Sequence, residues 1–193
     1  FATLDATKGY WQICLTEEAS RLTTFLTPYG RFRYTRAPMG LSASGDEFCR
    51  RGDEALRGIN GVIKVVDDVL VHAPTVAELE RRVRAVLMAC RRARITVSPA
   101  KFMFGATSAP FVGFVVGVDG YHPDPAKLCA IAEFPQPANV TDVRSFGLAN
   151  QLNGFTGRVA EALEPLRPML SPKSAFVWEE PQRQAFQQAR RLL

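Results

Sequence analysis

The chain has 193 residues, 47% of them hydrophobic, so it is long and apolar enough to bury a core of its own. Its formal net charge of +5 favours a polyanionic partner without requiring one. Neither a CxxC pair nor a run long enough to cross a membrane is present, which argues against a zinc motif and a membrane partner. A reducing, intracellular setting fits the four scattered cysteines, Cys14, Cys49, Cys90 and Cys129.

Two segments near the start of the chain predict strands. Residues 1–4 form an apolar run that ends at Asp5, where the chain turns away toward Gly9. Residues 23–36 predict a hairpin with its turn at 28–30, because aromatic residues alternate with arginines. This alternation places the aromatic side chains on one face and three arginines on the other: Arg31, Arg33 and Arg36.

Residues 61–73 carry the clearest hairpin pattern, because two β-branched apolar runs flank Asp67 and Asp68. A helix is predicted before this hairpin, from the polar stretch 42–46 to a stop near 58–61. A second amphipathic helix is predicted after it. The apolar face of that helix consists of Leu79, Val83, Val86, Leu87 and Cys90.

The second part of the chain is predicted to be mostly helical. Short strands are expected over 102–104 and 111–116, and Asp119, Gly120 and the following prolines mark a boundary. Beyond it, helices are predicted over 126–134, 141–153, 160–170 and 182–193. This shift in pattern predicts a mixed α+β domain followed by a helical domain.

Three aspartates are candidate metal ligands. Asp67 and Asp68 suit a simple turn, but the segment lacks the glycine that short hairpin turns favour. Two adjacent carboxylates among apolar residues repel each other unless a cation offsets their charge. If the strand that ends at Asp5 lies beside this hairpin, three carboxylates meet at one sheet edge. Such oxygen ligands suit Mg²⁺, and two such ions can support an in-line phosphoryl displacement. The residues alone leave both a polymerase palm and a metal-dependent nuclease open.

Six segments of the chain occur in the order and spacing of a known family. They are LDATKGYWQI (4–13), TTFLTPYGRFRYTRAPMGL (23–41), VVDDVLV (65–71), FVGFVVGVDGYHPDPAKLCAI (111–131), VRSFGLANQLNGF (143–155) and FVWEEPQRQAF (176–186). Together they resemble the reverse transcriptase of Gypsy-type LTR retrotransposons over nearly the whole chain. A fragment that starts at Phe1 would then lack most of the fingers.

The resemblance implies an α+β fold, in which a polymerase palm with an antiparallel sheet and packed helices is followed by a helical thumb. The palm is expected over 1–117, with an inserted fingers hairpin at about 22–37. The thumb is expected over 118–170, and 171–193 is expected to begin a connection toward an RNase H region.

The resemblance also implies a role for individual residues. The catalytic and metal-binding residues are expected to be Asp5, Asp67 and Asp68. The nucleotide-binding residues are expected to be Ala6 (through its carbonyl), Tyr10, Met39, Gly40 and Lys101. The primer or template contacts are expected to be Phe111, Val112, Gly113, Phe114, Arg31, Arg33 and Arg36.

The activity that follows from the resemblance is RNA-directed DNA polymerisation, in which deoxynucleotides are added to a primer 3′-hydroxyl with two Mg²⁺ ions, or Mn²⁺ in their place. The expected partners are an RNA or DNA template, a DNA or tRNA primer and deoxynucleoside triphosphates. The expected location is a cytoplasmic particle, the nucleus, or both. The sequence leaves the oligomeric state open.

Three departures from the family pattern support an alternative. Val65 stands where the family has the tyrosine of its YxDD turn, residues 44–48 replace a small residue, proline and aromatic start of a helix, and SFGLAN is one residue short of the common SFLGLAN. A catalytically degenerate remnant that acts as a nucleic-acid-binding or structural module therefore stays open beside the polymerase.

Overall fold

A computed structural model describes residues 1–156, 158–171 and 176–192. For residues 148, 150, 151, 153 and 156 it describes the backbone only. The chain divides into two compact units. The first unit comprises Phe1–Val112 with Val116–Val118, and the second comprises Gly113–Val115 with Asp119–Leu193.

The first unit alternates strands and helices. Its elements are β1 (Ala2–Asp5), a 3₁₀ helix (Gly9–Gln12), α1 (Glu17–Leu22), β2 (Phe25–Thr27), β3 (Gly30–Phe32), α2 (Ser42–Leu56), β4 (Val62–Val65), β5 (Asp68–Val71), α3 (Val76–Arg92), a 3₁₀ helix (Pro99–Lys101), β6 (Met103–Phe104) and β7 (Ser108–Phe111). The predicted strand at 1–4 and both predicted hairpins are confirmed.

A four-stranded sheet in the order β4-β5-β1-β6 forms the centre of this unit. The pairs β4-β5 and β1-β5 are antiparallel, so β5 lies between two strands and buries Val69, Leu70 and Val71. This position explains why the sequence of β5 is a continuous apolar run rather than an alternating one. One core cluster combines Ala2, Leu4, Val69 and Val71 with residues of α3 and the end of α2.

Helix α3 packs on the sheet through the face that its sequence predicts. It begins at the N-cap Thr75, whose hydroxyl accepts a hydrogen bond from the Glu78 amide at 3.2 Å. Leu79, Val83, Val86 and Cys90 are buried, whereas the expectation for Leu87 is wrong, because 38% of that residue is exposed. Each fully buried aliphatic side chain contributes about 1.5–3 kcal/mol to folding.

The second unit is mostly helical. Its elements are β8 (Phe114–Gly117, shared with the first unit), β9 (Gly120–Pro123), α4 (Pro125–Ala132), α5 (Val140–Phe146), a 3₁₀ helix (Gly147–Leu152), α6 (Asn153–Thr156), α7 (Val159–Ala162), a 3₁₀ helix (Glu164–Leu170) and α8 (Glu180–Arg191). Strands β8 and β9 are hydrogen-bonded neighbours. In the described part of the chain, no helix is both long and apolar enough to span a membrane.

Several predicted elements of the second part are wrong in detail. The predicted strand over 111–116 is interrupted by a turn, because Val112 and Gly113 have φ angles of 51° and 79°. The predicted helix over 141–153 is α-helical only to Phe146, and the one over 160–170 continues as a 3₁₀ helix. In the latter case Pro165 and Pro168 lack the amide hydrogens that an α-helix needs. Of the predicted segment 171–193, residues 172–175 and 193 lie outside the described residues.

The core of the second unit is built around Phe146. This residue is 1% exposed, and its ring centroid lies 4.6 Å from that of Phe186 on α8 and 5.5 Å from that of Phe134. Residues of α7 and the following 3₁₀ helix complete the same cluster. Helix α8 therefore shares one hydrophobic core with α5.

Phe146→Ala should destabilise the second unit by about 3–5 kcal/mol, because it removes a large, fully buried side chain from the core and leaves a cavity. The measurement is the urea midpoint followed by circular dichroism. The matched control is Arg144→Ala on the same helix, where the side chain is exposed. Equal midpoints for the two variants would contradict the central role of Phe146.

Candidate active site

The pairing of β1 with β5 brings the predicted catalytic residues to one sheet edge. Asp5 and Asp68 are direct register partners, and the Ala6 amide donates a hydrogen bond to the Asp67 carbonyl at 2.9 Å. The Asp5 carbonyl in turn accepts a hydrogen bond from the Ser98 amide at 2.8 Å. The strand end and the hairpin turn are therefore held together through backbone contacts that do not depend on the carboxylates.

The turn between β4 and β5 has an unusual backbone. Val66 has φ of 54°, a left-handed conformation that is strained for a β-branched residue. The ammonium of Lys64 lies 3.0 Å from a carboxylate oxygen of Asp53 and 3.4 Å from the Val66 carbonyl. A Cβ on Gly52 would lie 3.0 Å from Cδ and Cε of Lys64, so this glycine gives the lysine room. Helix α2 thus supports the turn that carries Asp67.

We call the end of the sheet that carries Asp5, Asp67 and Asp68 the acidic edge. A lysine partly neutralises its negative charge. The Lys101 ammonium donates a hydrogen bond to Oδ2 of Asp5 at 2.7 Å, and this contact raises the pKa of Lys101. Burial, followed by the charges of Asp67 and Asp5, raises the pKa of Asp68. The carboxylates therefore repel one another, and a cation placed between them would relieve that repulsion.

A cavity of about 630 Å³ opens beside these carboxylates. Six of the residues that the sequence assigns to catalysis or nucleotide binding line it: Asp5, Ala6, Tyr10, Met39, Asp67 and Lys101. Asp68 and Gly40 are not among its lining residues. Four further lining residues were not predicted: Lys8, Gly9, Trp11 and Phe48. Three of these, Lys8, Gly9 and Trp11, lie in the same sequence motif as Tyr10. Their closeness to Tyr10 in the sequence is the signal that could have predicted them.

The position of Tyr10 depends on a close contact between a loop and a helix. The 3₁₀ helix that carries Tyr10 starts after Lys8, which has φ of 49°. The Tyr10 ring packs edge-on against Phe48 of α2 at a centroid distance of 5.8 Å. A Cβ on Gly9 would come within 2.7 Å of the Phe48 ring, so glycine permits this approach.

The donor set fits a hard divalent cation, since it consists of carboxylate oxygens and the Ala6 carbonyl. In the described part of the chain, however, no three acidic, histidine or cysteine side chains are grouped closely enough to hold a metal ion. The Asp5 carboxylate instead forms an ion pair with Lys101 at 2.7 Å. Metal binding by Asp5, Asp67 and Asp68 therefore stays a prediction.

Of the predicted primer-binding residues, Val112 and Gly113 form the turn between β7 and β8, whereas Phe111 ends β7 and Phe114 begins β8. In the second unit, Phe114 packs against Tyr121 and Phe155, at centroid distances of 5.9 and 5.6 Å. A Cβ on Gly113 would meet the end of the Lys127 side chain, which would have to move aside. The primer role of Phe111, Val112, Gly113 and Phe114 stays a prediction.

The three arginines predicted to contact the template differ in their partners. Arg33 donates a hydrogen bond to Glu17 at 2.7 Å, and Arg36 donates one to the Gln12 carbonyl at 3.2 Å. Arg31 is exposed on β3 and pairs in register with Leu26. Their template contacts stay predictions.

A family model described as "Reverse transcriptase (RNA-dependent DNA polymerase)" matches residues 1–116. The chain belongs to the reverse transcriptase family. The match covers all of the strands and helices that place the three aspartates. It also spans every residue that lines the candidate active-site cavity.

Among curated proteins, this reverse transcriptase chain is 34% identical to the Retrovirus-related Pol polyprotein from transposon gypsy of Drosophila melanogaster, over its whole length and 20% of that protein. It is 32% identical to the corresponding polyprotein from transposon opus, over 86% of the chain and 17% of that protein. The chain therefore spans about a fifth of the curated relatives it matches. The resemblance to Gypsy-type elements is confirmed.

Among solved structures, the reverse transcriptase chain matches the foamy viral protease-reverse transcriptase in complex with an RNA/DNA hybrid, with a TM-score of 0.86. The match has 22% identity and covers 98% of this chain and 26% of the other. A second structure of the foamy viral enzyme, with double-stranded DNA, gives a TM-score of 0.85 over 34% of that chain. The predicted α+β polymerase fold is confirmed.

Gly9→Ala should destabilise the first unit by about 1–3 kcal/mol, because the new methyl group displaces the buried Phe48 ring. Gly45→Ala is the matched control, since a Cβ there meets only the Tyr10 hydroxyl at 3.7 Å. That change should stabilise α2 by about 0.5–1 kcal/mol, because alanine is the better helix former. Urea unfolding monitored by tryptophan fluorescence measures both, and effects of the same sign would contradict the packing described.

Proposed function

We propose that the protein is an RNA-directed DNA polymerase and that this chain contains its catalytic palm. The observation that carries the proposal is the register of β1 and β5, which places Asp5 opposite Asp68 with Asp67 at the adjoining turn. The cavity beside this edge, lined by Tyr10 and Lys101, supports the proposal because it offers space for a nucleotide.

We propose that two Mg²⁺ ions are held by Asp5, Asp67 and Asp68, with Mn²⁺ as a substitute. Membership of a family that uses divalent metals supports the choice of ion, and the mutual repulsion of the carboxylates supports the place. When bound, such ions neutralise the triphosphate and activate the primer hydroxyl. The Ala6 carbonyl supplies a further oxygen.

The remaining residues of the cavity bind and orient the nucleotide. We assign the Tyr10 ring to the place beneath the sugar, because it lines the cavity and packs against Phe48, which limits how far the ring can move. Met39 is 71% exposed and provides an apolar surface at the rim of the cavity. Lys101 lines the same cavity, and its ammonium would neutralise charge on the departing pyrophosphate.

The proposed partners are an RNA or DNA template, a DNA or tRNA primer and deoxynucleoside triphosphates. The nucleic acids in the solved structures of the foamy viral enzyme support the first two. We place the protein inside the cell, in a cytoplasmic particle or the nucleus, because its four cysteines are all free.

A non-catalytic nucleic-acid-binding module is the second candidate. Val65 favours it, because this residue precedes the turn, pairs with Asp68 in register and has no hydroxyl where the family has tyrosine. The replacement of tyrosine by valine at this position removes no metal ligand, and this argues against the non-catalytic module. Primer extension separates the two candidates, since both bind nucleic acid but only one adds nucleotides.

Asp67→Asn should abolish Mg²⁺-dependent primer extension, with a loss of at least about 10³-fold, because a carboxylate that balances the charge of the metal becomes neutral. The assay extends a labelled DNA primer on an RNA template, and EDTA should stop the reaction. Asp119→Asn is the matched control, since Asp119 is exposed and lies in the second unit. Unchanged extension by Asp67→Asn would exclude the assigned role. Absence of extension by the full-length protein that contains this chain would favour the non-catalytic module.

Tyr10→Ala should increase the incorporation of ribonucleotides relative to deoxynucleotides by about 10-fold or more, because the ring no longer collides with a 2′-hydroxyl. The ratio of kcat/KM for the two substrates, from single-nucleotide extension, is the measurement. Tyr29→Ala is the control, because that side chain is 92% exposed on the hairpin turn. A selectivity ratio that stays constant in Tyr10→Ala would contradict the role of the ring.

A further inference from the structure

A second cavity, of about 730 Å³, lies in the first unit behind the candidate active site. Trp11 and Phe48 line both cavities and so form a common wall. Three guanidinium groups line the second cavity, and none of its lining residues carries a carboxylate. We call it the arginine pocket, and its lining is Trp11, Gln12, Ile13, Cys14, Arg36, Phe48, Arg51, Ala93, Arg94, Ile95 and Thr96.

The positive charge of the arginine pocket is only partly offset. Arg51 forms an ion pair with Glu47 at 2.7 Å, and hydrogen bonds from Arg50 and then Arg51 lower the pKa of Glu47 to about 2. The Arg36 guanidinium donates a hydrogen bond to a neutral carbonyl, that of Gln12, and has no ion pair with a described residue. Arg94 has no side-chain partner in the described part of the chain. With Glu47 neutralising one of the three guanidinium groups, two positive charges remain.

The backbone at Arg94 is the second observation. Arg94 follows α3 with φ of 57°, and the Ile95 amide donates a hydrogen bond to the Cys90 carbonyl at 2.8 Å, as at a helix end closed by a left-handed residue. Glycine adopts this conformation without steric cost, whereas arginine does not. The helix end alone therefore favours glycine, and no described residue forms an ion pair or a side-chain hydrogen bond with Arg94.

The wall of the pocket is well ordered by hydrogen bonds across the chain. The side-chain amide of Gln12 donates to the Thr96 carbonyl at 2.9 Å, and its oxygen accepts from the Thr96 amide at 2.8 Å. This exchange joins the segment that carries Arg94 to the 3₁₀ helix beside the active site. Arg94 thus lies in a segment whose backbone is tied to that 3₁₀ helix.

We infer that the arginine pocket binds phosphate groups of a nucleic-acid strand, separately from the metal-binding cavity. Guanidinium groups pair with phosphate oxygens through two parallel hydrogen bonds, and an excess of two positive charges without a carboxylate in the lining suits a dianionic stretch of backbone. The nucleic-acid source of these phosphates rests on the proposed function. Free polyphosphate offers the same chemistry, so the experiment includes both.

The test measures binding of a fluorescently labelled DNA oligonucleotide, by anisotropy at several salt concentrations, and competition by tripolyphosphate. Arg94→Gly should weaken oligonucleotide binding by about 10-fold and reduce the slope of log affinity against log salt by about 1, because one phosphate contact is lost. The same variant should raise Tm by about 2 °C, because glycine suits the left-handed position. Arg51→Gln should weaken binding without this rise in Tm.

The matched control is Arg92→Gln, an exposed position on the same helix that does not line the pocket, and it should leave binding and Tm nearly unchanged. If only oligonucleotide binding falls in Arg94→Gly, the pocket takes a strand; if competition by tripolyphosphate also weakens, it takes free polyphosphate as well. If Arg94→Gly and Arg51→Gln bind both probes as Arg92→Gln does, the inference is overturned. Failure of the proposed function is distinguishable, because it appears as unchanged primer extension in Asp67→Asn.

Discussion

The antiparallel pairing of β1 with β5 is the interaction on which the rest of the structure depends. It places Asp5 opposite Asp68 and lets the Ala6 amide reach the carbonyl of Asp67. A shift of one residue in this register would turn every side chain of β1 to the other face, so Leu4 would leave the core and Asp5 would leave the site. The same hydrogen bonds thus determine both the stability of the sheet and the geometry of its acidic edge.

The site combines features that oppose stability with contacts that compensate for them. Carboxylates repel one another at the sheet edge, and Val66 has a strained backbone conformation. Lys101 supplies a positive charge beside Asp5, while Lys64 contacts both the strained turn and Asp53 of α2. Strain of this kind persists only where the surroundings hold it in place, and it is concentrated at functional sites.

The sequence predicted those parts of the structure whose signals are local. The strand ending at Asp5, the hairpin around Asp67 and the buried face of α3 follow from patterns of apolar residues within a few positions, and the resemblance supplied Tyr10 and Lys101. Helix α1 and strand β9 were missed because elements this short carry little periodicity. The exchange of hydrogen bonds between Gln12 and Thr96 joins residues 84 positions apart. No local sequence pattern predicts such a contact, so the arginine pocket could be identified only from the structure.

The order of strands in the sheet has a consequence for how the chain folds. Strands β4 and β5 are joined by a two-residue turn and meet after closing a very short loop, whereas β1 must find β5 across more than sixty residues. Closing the longer loop costs more chain entropy before any contact repays it. During synthesis β1 also leaves the ribosome first and has no partner until β5 follows. The acidic edge therefore assembles late, and the mutual repulsion of its carboxylates is postponed until the hairpin that carries two of them has formed.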